Sequence, residues 1–494
     1  MTGVRTTRPE ARVLPALGVG AVLVAAVLLR FTTRSDLWLD EALTANIAGL
    51  PLDEIPDALR HDGFPPLFYW LLHLWTSVVG DGDVAVRALS GVTAVAAIPV
   101  AWAAGRRLGG DTRTAWAATL VVAMSPFAIR YATEARMYAL LSLLVLLGYL
   151  AVTRALERPS AGWLVAVAAV VAALVLLHYW ALYLVVVVLG AVGGRWIRSR
   201  DPAALRVVIA GGAGALALVP WLGVLRYQLE HTGTPWTEGT NPFTAVTSSI
   251  AAWGGGRGVL ARVLGVVLVA LAAWAVVRWP PSRIVAAIGG GTFVLAVAVG
   301  TVTGSAFQPR YTAVVAPLVA LLAAAGLARL PDARLAAAAL VVVLVLGFVG
   351  GVREARLQRT QGGEVAAMID AEAGPGDVVA YCPDQLGPAT SRHLPDDFRQ
   401  EPFPLQGDPR FVDWVDYEER NEDADPEAFA ADVLQQADDV GGRVWYVWAY
   451  GYRTYGTTCE ALIDLFGSSG RVGTTVVARR TDVDEDMELI RFDG

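Results

Sequence analysis

Eleven apolar stretches, each long enough to cross a lipid bilayer, constrain this chain more than any other feature. They fall near 13–30, 87–105, 113–129, 137–153, 161–177, 179–194, 206–224, 259–277, 283–303, 312–328 and 334–351. A span needs roughly 17–25 consecutive apolar residues. Lipid admits such backbone only as helices or closed barrels, because nothing else satisfies every N–H and C=O internally. The expectation is an α-helical polytopic membrane protein with about 11 transmembrane helices. The first stretch is too long for a signal peptide and has no small-residue cleavage site before Arg30, so it reads as a helix that stays in place.

Composition supports this. The chain is 55% hydrophobic and 17% charged over its 494 residues, where a soluble domain carries about 25% charged residues. The surplus ends near residue 351. From 352 to 494 the chain reads as an acidic soluble domain, with helical patterns at Glu364–Glu372, Pro426–Ala437 and Cys459–Phe466 alternating with strand patterns at Asp377–Cys382, Arg443–Trp448, Val472–Ala478 and Met487–Phe492. That alternation predicts a small α/β domain. No basic stripe accompanies the net charge of −7, so nucleic acid is excluded as a partner.

Arginine placement sets the expected orientation. Arg5, Arg8 and Arg12, Arg106, Arg107 and Arg113, Arg195, Arg198 and Arg200, and Arg329 and Arg334 fall in alternate loops, whereas Asp36, Asp40, Glu41, Asp53, Glu54, Asp57 and Asp62 crowd the first intervening one. The positive-inside rule then gives a cytoplasmic N-terminus and an extracytoplasmic tail. The first outer loop, 31–86, contains an amphipathic stretch (Ala42–Arg60) and an aromatic-rich segment, Phe64–Val79, too short to span and read as an interfacial helix. Loop 225–257 is expected to fold over a site. The only cysteines, Cys382 and Cys459, both lie in the tail. An oxidising compartment and parallel neighbouring strands predict a disulfide between them.

Ionisable residues at the edges of spans are functional candidates by default. Asp40 and Glu41 sit beside each other just outside the first helix. Their side chains diverge, so one suits a general base and the other a metal or a guanidinium, or the pair simply caps the helix beginning at Ala42. In Arg130–Tyr138, helical spacing puts Arg130, Glu134 and Tyr138 on one face, with Tyr131 beside Glu134; an interfacial anchor belt is the plainer alternative. His178 and Tyr179 mark the outer end of a span, where a helix–helix hydrogen bond is the alternative. Arg310, between Pro309 and Tyr311, has the fork geometry that grips phosphate, against simple snorkelling. His61 lies in the turn before the interfacial helix.

Four landmarks taken in order resemble the GT-C superfamily of membrane glycosyltransferases, and within it glycosyltransferase family 39, the protein O-mannosyltransferase and aminoarabinose-transferase branch. They are Trp38-Leu39-Asp40-Glu41, Pro65-Pro66-Leu67-Phe68-Tyr69, Tyr131–Tyr138 and Arg310-Tyr311, with Arg87-Ala88-Leu89-Ser90-Gly91 opening the second span. The resemblance covers roughly residues 13–330. It implies a GT-C-like domain over 1–351; the extracytoplasmic α/β domain over 352–494 rests on patterning and arginine placement alone. It also implies a polyprenyl-phosphate sugar donor and a glycan, lipid or protein acceptor, with transfer inverting the anomeric centre at the membrane surface. Asp40 is then the expected base, Glu41 and Glu134 site carboxylates and candidates for a divalent metal, and Arg310, Arg130 and Arg136 the cations for the donor phosphate. Tyr131, Tyr138, His178, Tyr179, Tyr311 and His61 are expected to line the substrate cavity. Relatives carry His directly before the Pro-Pro pair; Phe64 stands there in this chain. Two other classes compete, a flippase or transporter of lipid-linked sugar and a non-catalytic membrane scaffold presenting the tail. Transporters place charge at mid-span in repeated halves, whereas here it lines one outer face.

Overall fold

The computed structural model describes residues 10–233, 239–395 and 397–494. Helices occupy every apolar stretch expected from the sequence. Seven of them are by themselves long and apolar enough to cross a membrane: Asp83–Gly109, Tyr138–Glu157, Trp180–Ser199, Pro202–His231, Val259–Arg278, Pro280–Thr303 and Ala333–Arg356. Thr112–Ala123 and Pro126–Ala132, bent by 52° where they join, reach the same length and apolarity only as a pair. The remaining expected spans are shorter apolar helices, Leu17–Leu29, Ala161–Leu177 and Ala316–Leu327. The last of these is preceded by a 3-10 turn, Pro309–Val314, because prolines at 309 and 317 interrupt the stretch.

The break at 124–125 is stabilised from three directions. Pro126 removes a backbone donor, Ser125 caps the restarted helix through Ala128 N–H, and Arg30 donates to the carbonyls of Val122 and Ala123 at 2.9 and 2.8 Å. Gly347 of the last membrane helix lies against the Met124 carbonyl, 2.3 Å from where a Cβ would sit. Any side chain there would force the two helices apart.

In loop 31–86 the amphipathic stretch divides into two helices, Leu39–Gly49 and Ile55–Asp62, separated at Pro51, with Gly63 in the left-handed region closing the second. Leu67–Val79 follows as the short apolar helix. Loop 225–257 forms helices Leu222–His231 and Pro242–Trp253; its central part, 234–238, lies outside the described residues.

The last membrane helix continues to Arg356, past the boundary at 351 expected from hydropathy. The tail then builds a five-stranded sheet from β1 (Val378–Cys382), β2 (Arg399–Pro402), β3 (Val444–Trp448), β4 (Val472–Val477) and β5 (Glu488–Asp493), in the order β2-β1-β3-β5-β4. β1 runs parallel to β2 and β3, and β5 runs antiparallel to β3 and β4. β1 and β3 are buried on both faces, which is why they read as unbroken apolar runs. Val378, Ala380, Val444 and Tyr446 pack with Phe429 and Phe466, from helices Pro426–Asp438 and Thr458–Ser468. Val379, Tyr381, Trp445 and Val447 pack with Val365 and Ile369, from helix Gly362–Glu372, on the other face. Cys382 and Cys459 form a disulfide. β2 was not anticipated: it is a polar edge strand of four residues ending in proline, with no apolar alternation to reveal it.

Candidate active site

Helix Leu39–Gly49 starts from Trp38 in extended conformation, with Asp40 and Glu41 in its first turn. Successive residues of a helix point about 100° apart, so the two carboxylates diverge. Asp40 turns to Arg310, whose Nη1 donates to Oδ2 at 2.5 Å. Both remain partly open, with side chains 17% and 22% exposed. Arg310 sits on the 3-10 turn Pro309–Val314. Its guanidinium lies 5.8 Å from the centre of the Trp38 ring, and its Nε is buried without a partner.

Glu41 points inward and is wholly buried. Arg87 grips it through two bonds, Nε to Oε1 at 2.7 Å and Nη2 to Oε2 at 2.6 Å. Ala135 N–H donates to Oε1 at 2.8 Å, and Arg359, from the tail side, reaches Oε2 at 3.4 Å. Burial alone would raise this carboxyl's pKa, but Arg87, Arg359 and the Ala135 amide outweigh it and hold the group ionised. Arg359 is itself fully buried and donates to the carbonyl and hydroxyl of Thr133 at 2.6 and 2.7 Å. One ion cluster thus ties loop 31–86, the segment between helices Pro126–Ala132 and Tyr138–Glu157, and the tail together. Arg87 and Arg359 carried no role in the sequence reading. Arg87 opens a span, which is a signal; Arg359 gives none, because its partners are more than 200 residues away in sequence.

The expected single helical face from Arg130 to Tyr138 does not form. The helix ends at Ala132, and a new one starts at Tyr138. Arg130 still pairs with Glu134 at 3.1 Å, but it is also held by Glu354 at 3.3 Å and Asp484 at 3.1 Å, so three carboxylates neutralise the cation expected to meet the donor phosphate. Glu134 is buried with Oε1 unpartnered, and burial raises its pKa against the pull of Arg130 and Arg359. Arg136 lies over the Phe64 ring at 4.4 Å and donates to Thr44 Oγ1 at 2.7 Å and to the Asp40 carbonyl at 3.2 Å. Beside it Asp62 accepts from the Tyr69 hydroxyl.

Aromatic rings line the side facing the membrane helices. Tyr131 and Tyr138 are 4.9 Å apart between ring centres, Tyr138 and His178 5.7 Å, and His178 and Tyr311 5.3 Å. The Tyr138 hydroxyl and His178 Nε2 are buried and unpartnered. Beneath Tyr131 an apolar cavity runs between helices, lined by Ala97, Phe127, Ala128, Ala139, Leu146 and Ala320 among others.

Two residues expected in the cavity stand elsewhere. Tyr179 turns away to donate to Gln228 Oε1 and accept from Trp221 Nε1, bracing the loop helix Leu222–His231. His61 lies at the surface against Asp413 of the tail at 2.8 Å; a helical residue four before the Pro-Pro pair is rotated to the solvent side. The metal expectation also needs correction. Both oxygens of Glu41 are already occupied by two guanidiniums and an amide, a donor set that suits no cation. Among the described residues, the side chains close enough together to hold an ion are Asp36, Asp83 and His393, which include neither Glu41 nor Glu134.

Residues 64–223 match the family model described as dolichyl-phosphate-mannose-protein mannosyltransferase. The chain is similar in structure to ArnT from Cupriavidus metallidurans in its apo state, with a TM-score of 0.67 at 15% identity over 97% of this chain and 98% of that one. Against the crystal structure of the same protein bound to undecaprenyl phosphate the TM-score is 0.56 at 14% identity, over 96% and 97%. An Archaeoglobus fulgidus oligosaccharyltransferase tethered with an acceptor peptide gives 0.52 at 10% identity, over 92% of this chain and 72% of that one. No curated protein sequence matches the chain. The chain therefore shares the fold of ArnT over nearly its whole length, a helical membrane domain followed by a small C-terminal sheet domain, and residues 64–223 within it match the mannosyltransferase family model.

Proposed function

We propose that the protein transfers a sugar from a polyprenyl-phosphate donor to an acceptor hydroxyl at the outer face of the membrane, inverting the anomeric centre. The observation that carries this reading is the Asp40–Arg310 pair, a carboxylate and a guanidinium both partly open and close to the Tyr138 and Tyr311 phenols. Asp40 accepts the acceptor's hydroxyl proton as the new C–O bond forms on one face of the anomeric carbon. The bond to phosphate oxygen breaks on the other face, and Arg310, with Arg136, stabilises the charge gathering on the departing phosphate. The apolar cavity beneath Tyr131 takes the start of the isoprenoid chain. Bound undecaprenyl phosphate in the ArnT structure supports a donor of this class.

The arginine distribution and the Cys382–Cys459 disulfide support a tail that lies outside the cell. Glu41 is a structural anion in this scheme, and no step passes through a metal. Profiling lipid-linked sugars and envelope glycans in a deletion strain, complemented with wild type or Asp40→Asn, tests the reading. Accumulation of one polyprenyl-phosphate sugar with loss of its glycan product is expected, reversed by wild type alone. Unchanged glycans would favour the scaffold reading, and a donor trapped on the cytoplasmic side would favour the flippase.

A further inference from the structure

We infer that Glu485, supplied by the C-terminal domain, is a positioning residue for Asp40, seated at the N-terminal end of the helix that presents the base. The inference rests on the reading of Asp40 given above. Helix Leu39–Gly49 has no side-chain cap. The Glu41 and Ala42 amides close onto the Trp38 carbonyl, so the first turn needs something else to set its rotation. Glu485 lies beside the Leu39 N–H and the Thr360 hydroxyl. It is only 4% exposed, and neither carboxyl oxygen makes a well-formed hydrogen bond.

A buried carboxyl without a full partner is costly to keep, so something must hold it there, and the backbone does. Glu485 N–H donates to the Arg359 carbonyl at 2.7 Å, and Gln361 N–H donates to the Glu485 carbonyl at 3.2 Å. Arg359 is the residue whose guanidinium enters the Glu41 cluster, and the neighbouring Asp484 pairs with Arg130 and Arg257. The tail therefore meets the Asp40 turn through Arg359 and Glu485, whose backbones are bonded to each other.

The charge state follows from the surroundings. The charged groups that act on Glu485 are Asp40, on the helix it abuts, and Asp484 beside it, both acids; Arg130 and Arg257 are engaged by Asp484 and Arg359 by Glu41 and Thr133. Burial first, and these acids after it, push the carboxyl up to about 8. At neutral pH Glu485 is a neutral acid that props the turn without competing for Arg310. Once ionised it sets a second negative charge near Asp40 and competes with it for Arg310.

The test uses the full-length protein, with undecaprenyl phosphate as the binding probe and restoration of the missing glycan, plus turnover of the accumulated donor, as the activity readouts. Glu485→Gln keeps the shape and the neutral form. Wild type is expected to lose kcat above about pH 8, and Glu485→Gln to match it at neutral pH and show no such decline. Glu485→Ala frees the turn and is expected to lower kcat about 10- to 100-fold, with undecaprenyl phosphate binding and the apparent KM for donor unchanged. An infrared pH titration should show one protonated-carboxyl band in wild type that Glu485→Gln lacks. Wild-type kcat in Glu485→Ala, or an alkaline decline retained in Glu485→Gln, would overturn the inference. An active Asp40→Asn would instead remove the underlying reading of Asp40, so the two failures are separable.

Discussion

Asp40 and Arg310, 270 residues apart in the chain, meet at 2.5 Å where loop 31–86 meets the turn before helix Ala316–Leu327. Both side chains remain partly open, 17% and 22% exposed, whereas the neighbouring Arg87–Glu41 and Arg359–Glu41 pairs are buried. In the proposed reaction the carboxylate takes the acceptor's proton and the guanidinium faces the leaving phosphate.

Asp40→Asn removes the proton acceptor and keeps the shape. Turnover should fall by ~10²–10⁴-fold, the usual contribution of a general base, with expression and undecaprenyl phosphate binding near wild type. Retention of more than about a tenth of wild-type turnover would assign the base elsewhere.

Arg310→Ala should weaken donor binding and raise the apparent KM. Arg310→Lys should recover only part of it, because an ammonium cannot present the same planar fork. If both variants bind undecaprenyl phosphate as wild type does, Arg136 is the residue to substitute next, since its Nε is likewise buried and free.

Glu41→Ala leaves Arg87 and Arg359 buried without their shared counter-ion. Breaking a buried ion pair from one side costs about 3–5 kcal/mol. The variant is therefore expected to melt well below wild type in detergent and to lose the protease resistance of the tail. A wild-type melting temperature would show that the cluster carries no net stability.

Asp384 lies buried in the tail, accepting from the hydroxyls of Tyr417 at 2.5 Å and Tyr455 at 2.9 Å. Burial raises its carboxyl to about 6 despite these bonds. The unfolded chain releases this proton near the ordinary 3.8 and the folded one near 6, so the folded state binds more protons between those values and stability falls as pH rises through that window. The size is on the order of 3 kcal/mol. Asp384→Asn should remove that slope from the melting profile between about pH 4 and 6. Identical wild-type and variant slopes would refute it.

Non-reduced protein alkylated under denaturing conditions should show no modified thiol, and reduction should release both Cys382 and Cys459. A bridge with sequence separation 77 is expected to contribute about 2–4 kcal/mol to the tail.

The membrane helices were legible in the sequence because hydrocarbon imposes a length and a composition on every span, a rule that acts locally. The strands β1 and β3 were legible for the same reason, each a run of residues buried on both faces. Asp40 and Arg310 were legible as separate candidates, since charge at a membrane edge is expensive wherever the chain goes next. Their pairing was not, because 270 intervening residues decide it. The sequence also placed Glu41 and Glu134 as possible metal ligands; only the packed structure brings Arg87 and Arg359 onto Glu41 and fills its coordination. His61 and Tyr179 carry the right chemistry for a cavity, and only helix rotation sends them to the tail surface and the loop brace. Glu485, in an acidic stretch like several others, becomes distinctive only when the tail folds back on the Asp40 turn. Local hydrophobicity and spacing determine which segments form and where charge is costly. Which charge meets which is settled by long-range packing, because a buried ion is tolerated only where distant parts of the chain supply its partner.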